Sequence, residues 1–259
     1  MMFFFLRGLM FGLRFLGKTE VPAAAAFNPL RAYFDGHSGR GINKRVHYLD
    51  IYHRHLRKFV GASPVVLEIG VQSGGSLIMW KEYFGAGSQI HGVDVQKSCS
   101  QFQDTAQGVF ISIGSQGDRK FWADFKSKTP RLDVIIDDGS HHWEDQIATF
   151  EEMLEHLKPG GVYICEDLKS ITNNFVLYTM GFASNLNVSR QSKRNGVLTV
   201  APPTPLQRTI RSVHFYPLVV VIEKYSAPLE SLLSTRHGTE WIEYENSKHN
   251  AHFAETTRD

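Results

Sequence analysis

Only two cysteines occur among the 259 residues, Cys99 and Cys165. Their spacing matches no metal-ligand motif, and two thiols make no disulfide framework, so a reducing compartment is the default. Long apolar runs are missing too. Met1–Leu6 is strongly apolar, but Arg7 and Arg14 interrupt the run beyond it. No stretch reaches the ~20 apolar residues that cross a bilayer. Acids are absent from 168–222, a stretch that carries Lys169, Arg190, Lys193, Arg194, Arg208 and Arg211. Internal repeats are absent, and the only low-complexity tract is Ala23–Ala26. Two nucleotide-binding fingerprints also fail. Position 72 is Gln where G-x-G-x-x-G needs Gly, and position 75 is Gly where a P-loop needs Lys.

What is present belongs to a globular chain. Apolar residues make up 42% and charged residues 21%, enough to build one sizeable core. The net charge of +2 is unevenly spread. Residues 1–60 hold ten Lys/Arg against three acids (Glu20, Asp35, Asp50), which leaves the remainder at −5. A basic front end favours an anionic surface or substrate, or is simply a solvated face. Residues 1–35 read as an N-terminal helical extension. Arg7, Arg14 and Lys18 share one helical face, opposite Phe4, Leu9, Phe11 and Phe15. This pattern fits peripheral membrane contact through residues 1–18, a targeting peptide, or packing on a partner subunit. The localisation expected is cytoplasmic, with membrane association through that segment as its variant.

From residue 36 to about 225 the pattern is that of a folded domain, followed by a tail over 226–259. Residues 43–59 have the period of an amphipathic helix. Apolar runs at 65–70, 89–94, 108–113, 132–137 and 162–166 read as strands. Helices are expected at 76–84, 118–128 and 143–157. Residues 168–212 read as a loop-and-helix insertion, and 212–223 as one late strand with Pro217 inside it, at an edge or bulge. Apolar strands alternating with helices imply a Rossmann-like, doubly wound, mostly parallel sheet covered on both faces.

In such a sheet, ligands bind beyond the carboxyl ends of the strands. The first strand ends in Glu68-Ile69-Gly70-Val71-Gln72-Ser73-Gly74-Gly75, a sharp turn that lets a ligand approach the backbone. The second ends at Asp94, an acid placed to accept hydrogen bonds from ribose hydroxyls. Ser115 and Gln116 follow the third and would border an adenine. The fourth ends in Asp137-Asp138-Gly139-Ser140-His141-His142, and its neighbour the fifth in Glu166-Asp167. Up to four carboxylates thus meet. They would repel one another unless a hard divalent cation, Mg²⁺ or Mn²⁺, joins them, or unless some cap helices or pair with Lys and Arg.

The acid-led E-x-G-x-x-x-G-G turn resembles motif I of the class I methyltransferases, which bind S-adenosyl-L-methionine. Ile135-Ile136-Asp137-Asp138-Gly139-Ser140-His141 and Leu157–Leu168 narrow the likeness. They resemble the metal-dependent O-methyltransferases that act on sugars of macrolide and aminocoumarin antibiotics, the mycinamicin and macrocin type, with cephalosporin-hydroxylase-like proteins as relatives. Gly41–Lys44, His47, Tyr48, Tyr52 and Ser212–Tyr216 resemble the same family, over residues 36–225. The resemblance implies a class I methyltransferase fold with Glu68, Gly70, Ser73, Asp94, Ser115, Gln116 and Asp137 at the cofactor. It implies Asp138, Glu166 and Asp167 as metal ligands, and His141 as general base. The expected reaction moves a methyl group to a hydroxyl of a sugar or similar diol.

The rival readings are a non-catalytic cofactor-binding subunit, an NAD-dependent oxidoreductase, which Gln72 disfavours, and a nucleic-acid methyltransferase. The last would carry an N/D-P-P-Y-type motif at the end of the fourth strand, so no nucleic-acid partner is expected. The acid-free stretch favours an anionic glycan, glycolipid or nucleotide-sugar acceptor, tested by reversing Arg190, Lys193 and Arg194 to Glu. Relatives are often oligomers; the sequence carries no readable interface pattern, and a homo-oligomer is one of the states it leaves open.

Overall fold

The computed structural model describes residues 27–169, 173–188, 191–194, 197–233, 237–240 and 242. The expected amphipathic helix at 1–18 and Arg190 lie outside the described residues. Five apolar runs become five adjacent parallel strands: β1 (Val65–Ile69), β2 (Gln89–Asp94), β3 (Val109–Ile113), β4 (Leu132–Asp137) and β5 (Leu157–Cys165). β1 is buried at every position, as a central strand covered on both faces must be. The helices are α1 (Pro29–Gly36), α2 (Val46–Leu56), α3 (Gly75–Phe84), α4 (Arg119–Lys128), α5 (Trp143–Met153) and α6 (Asn174–Ser184). A short hairpin of β6 (Gln191–Arg194) and β7 (Val197–Val200) precedes α7 (Pro205–Thr209). Then β8 (Ile210–Tyr216) and β9 (Val219–Lys224) close the sheet in the order β3-β2-β1-β4-β5-β9-β8. This is the class I methyltransferase arrangement, with β9 antiparallel to both its neighbours.

Two cores arise from the period-2 alternation of the strands. Val66, Val134, Ile136, Ile164 and Val221 point to α1, α2 and α3, where Leu30, Tyr52, Leu56, Met79, Trp80 and Phe84 are buried. Leu67, Ile135, Tyr163 and Ile222 point to α4, α5 and α6, against Trp122, Phe125, Phe150, Met153 and Phe175. Each such large side chain contributes about 1.5–3 kcal/mol by leaving water. Helix α1 lies within the segment read as an extension. Its Leu30 is nonetheless core, and the capping Asn28 also donates to Leu49 O in α2 at 3.1 Å.

Three readings of the sequence are corrected by the fold. The late strand is two strands. Pro217 and Leu218 form the turn between β8 and β9, where a missing N–H costs no ladder bond. Helix α5 stops at Met153 rather than 157, because Leu157 already pairs with Leu132 in the sheet. The insertion at 168–212 contains the β6–β7 hairpin as well as helices, and Lys193 and Arg194 lie on its first strand. Among the described residues no helix is long and apolar enough to cross a membrane.

Candidate active site

A cleft of about 380 Å³ opens beyond the carboxyl ends of β1, β2, β3 and β4. Gly70, Asp94, Ser115, Gln116, Asp138, His141 and Asp167 all line it, as do Asn43, Gln72, Gln96 and Asp145. The turn after β1 is held from both sides. Gly70 has φ +92°, and a Cβ there would lie 2.1 Å from Asp138 O, so only glycine fits. Asp94 Oδ2 accepts from Val71 N at 2.9 Å and Gln72 N at 3.0 Å, while its Oδ1 accepts from Gln96 N at 2.8 Å. Asp94 therefore shapes the glycine turn and still borders the cleft.

Glu68, Ser73 and Asp137 do not line the cleft. Glu68 is buried behind β1, where it accepts from Ser76 Oγ at 2.8 Å and Trp80 Nε1 at 3.0 Å. Burial pushes its pKa up, against these donors and Lys44. It fastens α3 to β1. Ser73 is exposed on the turn and packs near Gly41. Asp137 is buried beneath the floor, accepting from Gln116 Nε2 and Tyr163 OH, both at 2.9 Å. Burial pushes it up to about 6. Through Gln116, whose Oε1 accepts from Ser140 N at 2.6 Å, Asp137 sets the loop that carries His141.

The four carboxylates expected at the ends of β4 and β5 divide. Lys44, buried just ahead of α2, donates to Asp138 Oδ2 at 2.6 Å and to Glu166 Oε2 at 3.2 Å, with Glu68 Oε1 at 3.8 Å. Burial works to lower the lysine's pKa, yet Glu166, Asp138 and Glu68 together raise it. Burial raises Glu166, opposed first by Lys44. Glu166 thus faces an ammonium, one of the partners weighed for these acids.

Asp138, His141 and Asp167 form the group that fits a cation. One ligand atom from each lies within 4.8 Å of the others. His141 Nε2 is 3.9 Å from Asp138 Oδ1 and 3.8 Å from Asp167 Oδ2, and its Nδ1 has no partner among the described residues. Asp167 is also bound by Lys169 at 2.6 Å, Tyr48 OH at 2.8 Å and Arg45 at 3.1 Å. Partial burial works to raise it, and these three donors outweigh that, holding it near about 2. His141 (φ +60°), Asp167 (φ +56°) and Gln72 (φ +47°) are all in the left-handed region that non-glycine residues avoid. Such strain gathers at functional sites. Lys44, Tyr48, Arg45 and Lys169 had no role assigned from the sequence, because nothing local distinguishes a lysine that will be buried from one in solvent.

Residues 67–168 match the family model described as a methyltransferase domain. The chain is 29% identical over 196 residues to an 8-demethyl-8-alpha-L-rhamnosyl tetracenomycin-C 2'-O-methyltransferase of Streptomyces olivaceus, covering 68% of this chain and 50% of that protein. It is 34% identical over 124 residues to the mycinamicin VI 2''-O-methyltransferase of Micromonospora griseorubida, covering 45% and 30%. A methyltransferase of the mycinamycin biosynthetic pathway, solved with Mg, SAH and mycinamycin VI, superposes with a TM-score of 0.59 at 25% identity, covering 76% of this chain and 53% of that one. The chain spans about half the length of the first of these relatives. The chain thus has the class I methyltransferase fold, with residues 67–168 similar to a methyltransferase domain, and it resembles the macrolide sugar O-methyltransferases.

Proposed function

We propose that this chain transfers a methyl group from S-adenosyl-L-methionine to a hydroxyl of a sugar or similar diol, with a divalent cation at the site. One observation carries the reading. A single cleft runs from Asp94 and Gln116, suited to an adenosine, to Asp138, His141 and Asp167, suited to a cation and a hydroxyl. Relatives that methylate sugar hydroxyls, and a neighbour solved with Mg and SAH, support it.

Gly70, Asp94, Ser115 and Gln116 would hold the cofactor, with Asp137 acting through Gln116. Asp138 and Asp167 would hold Mg²⁺ or Mn²⁺, whose preference for oxygen ligands and retained water matches two carboxylates at an open cleft. When bound, the cation lowers the pKa of a hydroxyl and the sulfonium supplies an electrophilic methyl. Glu166 would join the ligands only where Lys44 withdraws. His141 Nε2 faces the same point and would take the hydroxyl proton. Asp138 and Asp167 stabilise the charge that arrives there. A polar hollow of about 250 Å³ lined by Asn43, Arg45, Tyr48 and Lys169 adjoins the carboxylates. Its donors suit a hydroxyl-rich acceptor, and holding both reactants in contact supplies much of the rate.

Calorimetric titration of S-adenosyl-L-methionine and then Mg²⁺ into wild type and Asp138→Ala tests the proposal. Cofactor binding with a metal site lost in the variant is expected. Absence of cofactor binding would overturn the methyltransferase reading. Cofactor binding without any metal site would remove the cation from it and favour a cofactor-binding subunit.

A further inference from the structure

A second group of metal-ligating side chains lies outside the cleft, where α2 meets the β8–β9 hairpin. Ser212, His214 and Tyr216 alternate along β8 and so share one face. Glu223 on β9 is the register partner of Ser212. His55, in the last turn of α2, is buried over them. One ligand atom from each of His55, His214 and Glu223 lies within 4.8 Å of the others. His55 Nδ1 is 2.9 Å from Glu223 Oε1, and His214 Nε2 is 3.8 Å from Glu223 Oε2. A tetrahedral zinc site with bonds of ~2.0–2.1 Å places its ligand atoms about 3.3 Å apart, between these two values.

From this geometry we infer that His55, His214 and Glu223 bind a borderline first-row divalent cation, zinc foremost, in a site separate from the methyl-transfer cleft. Two imidazoles with one carboxylate select zinc over magnesium. The supporting contacts are in place. Tyr216 OH lies 2.8 Å from His55 Nε2, so the ring nitrogen that faces away from the cation has a partner to fix its orientation. Ser212 Oγ donates to Glu223 Oε2 at 3.2 Å. Its hydrogen bond from His55 foremost, the surroundings hold Glu223 down at about 2, while burial and the neighbouring His55 hold His214 below its ordinary value. His55 reaches its metal-binding form by moving one proton from Nδ1 to Nε2, where the Tyr216 hydroxyl can turn from donor to acceptor. His214, about one third exposed, gives the ion an entry side. Lys58 faces Glu223 and Arg54 faces His214, two positive charges that oppose a bound cation. The ion would tie the carboxyl end of α2 to the sheet edge, on the same helix whose Tyr48 holds Asp167.

The test uses the full chain, stripped with chelator and titrated with zinc sulfate in an Asp138→Ala background, so that the cleft cannot supply the site. Zinc is expected to bind there and to raise the melting temperature, with Mg²⁺ in tenfold excess failing to compete. Adding His214→Ala or Glu223→Gln is expected to weaken zinc binding by about 100-fold or more and to abolish the thermal shift. Zinc binding unchanged in folded His214→Ala, or no zinc binding in the Asp138→Ala parent, overturns the inference and leaves a hydrogen-bonded histidine–glutamate group. Should Asp138→Ala not fold, His141→Ala serves as the background.

Discussion

Lys44 is where a single side chain decides most. Its ammonium stands between Asp138 and Glu166 in a buried position, so it neutralises acids that would otherwise repel. Replacing it with alanine leaves Glu166 uncompensated and is expected to cost about 3–5 kcal/mol, measured by urea unfolding at pH 7. A loss below about 1 kcal/mol would show that Glu166 takes up a proton instead. His91 gives the pH counterpart. It is buried in a stack on Phe110, its Nε2 lacks a partner among the described residues, and burial lowers its pKa from 6.5 to about 4. The unfolded chain therefore binds more protons between those values, and stability is lost as pH falls from 6.5 towards 4. The loss is of the order of 3 kcal/mol. His91→Phe should flatten that part of the stability–pH curve, and an unchanged slope would assign the acid sensitivity elsewhere.

Among the elements, the loops after β1 and β4 are built against each other. A methyl group on Gly70 would collide with the carbonyl of Asp138. Gly70→Ala is expected to cost about 2 kcal/mol or more and to weaken S-adenosylhomocysteine binding at least about tenfold, read by calorimetry. Wild-type affinity in this variant would mean the two loops move independently. Much of this layer was legible in the residues. β1 to β5 stand out because they are apolar on both faces and end in Gly, Asp or Glu. The β8–β9 turn was not legible, since Phe215–Ile222 has no charged or turn-forming polar residue and only the partner strand reveals that the chain reverses at Pro217. Helix α5 was overrun because Leu154 and Leu157 continue its apolar period, and strand pairing with Leu132 overrides that period. At the site, Gly70, Asp94, Ser115, Gln116, Asp138, His141 and Asp167 line the cleft as their strand-end positions suggest, whereas Glu68, Ser73 and Asp137 do not. Lys44 and Tyr48 were not given roles, because each meets its carboxylate more than 90 residues away in sequence.

On the scale of the whole molecule, the sheet and its two cores set how binding is felt as stability. A ligand of the folded state alone at a hundred times its Kd adds about 2.7 kcal/mol, which for a domain of this size is about 5–10 °C in Tm. S-adenosylhomocysteine is expected to produce that shift in differential scanning fluorimetry. Its absence at concentrations that saturate by calorimetry would place binding in a locally unfolded or partly folded population. The evenness of the two cores argues against such a population. Each face buries a tryptophan completely, Trp80 on one and Trp122 on the other.

Among the described residues, five other than glycine are held at positive φ: Ser63, Gln72, His141, Asp167 and Leu218. Each costs roughly 1–2 kcal/mol that glycine would relieve in part. Ser63 and Leu218 lie outside the cleft lining, whereas Gln72, His141 and Asp167 line it. A search rewarded only for heat tolerance is drawn to glycine at such positions, whatever else each side chain does. Glycine at Leu218 would also remove a side chain packed on the core, and under the proposed function glycine at His141 or Asp167 would remove the base or a cation ligand, so a screen for durable variants of this chain must score ligand binding in the same round.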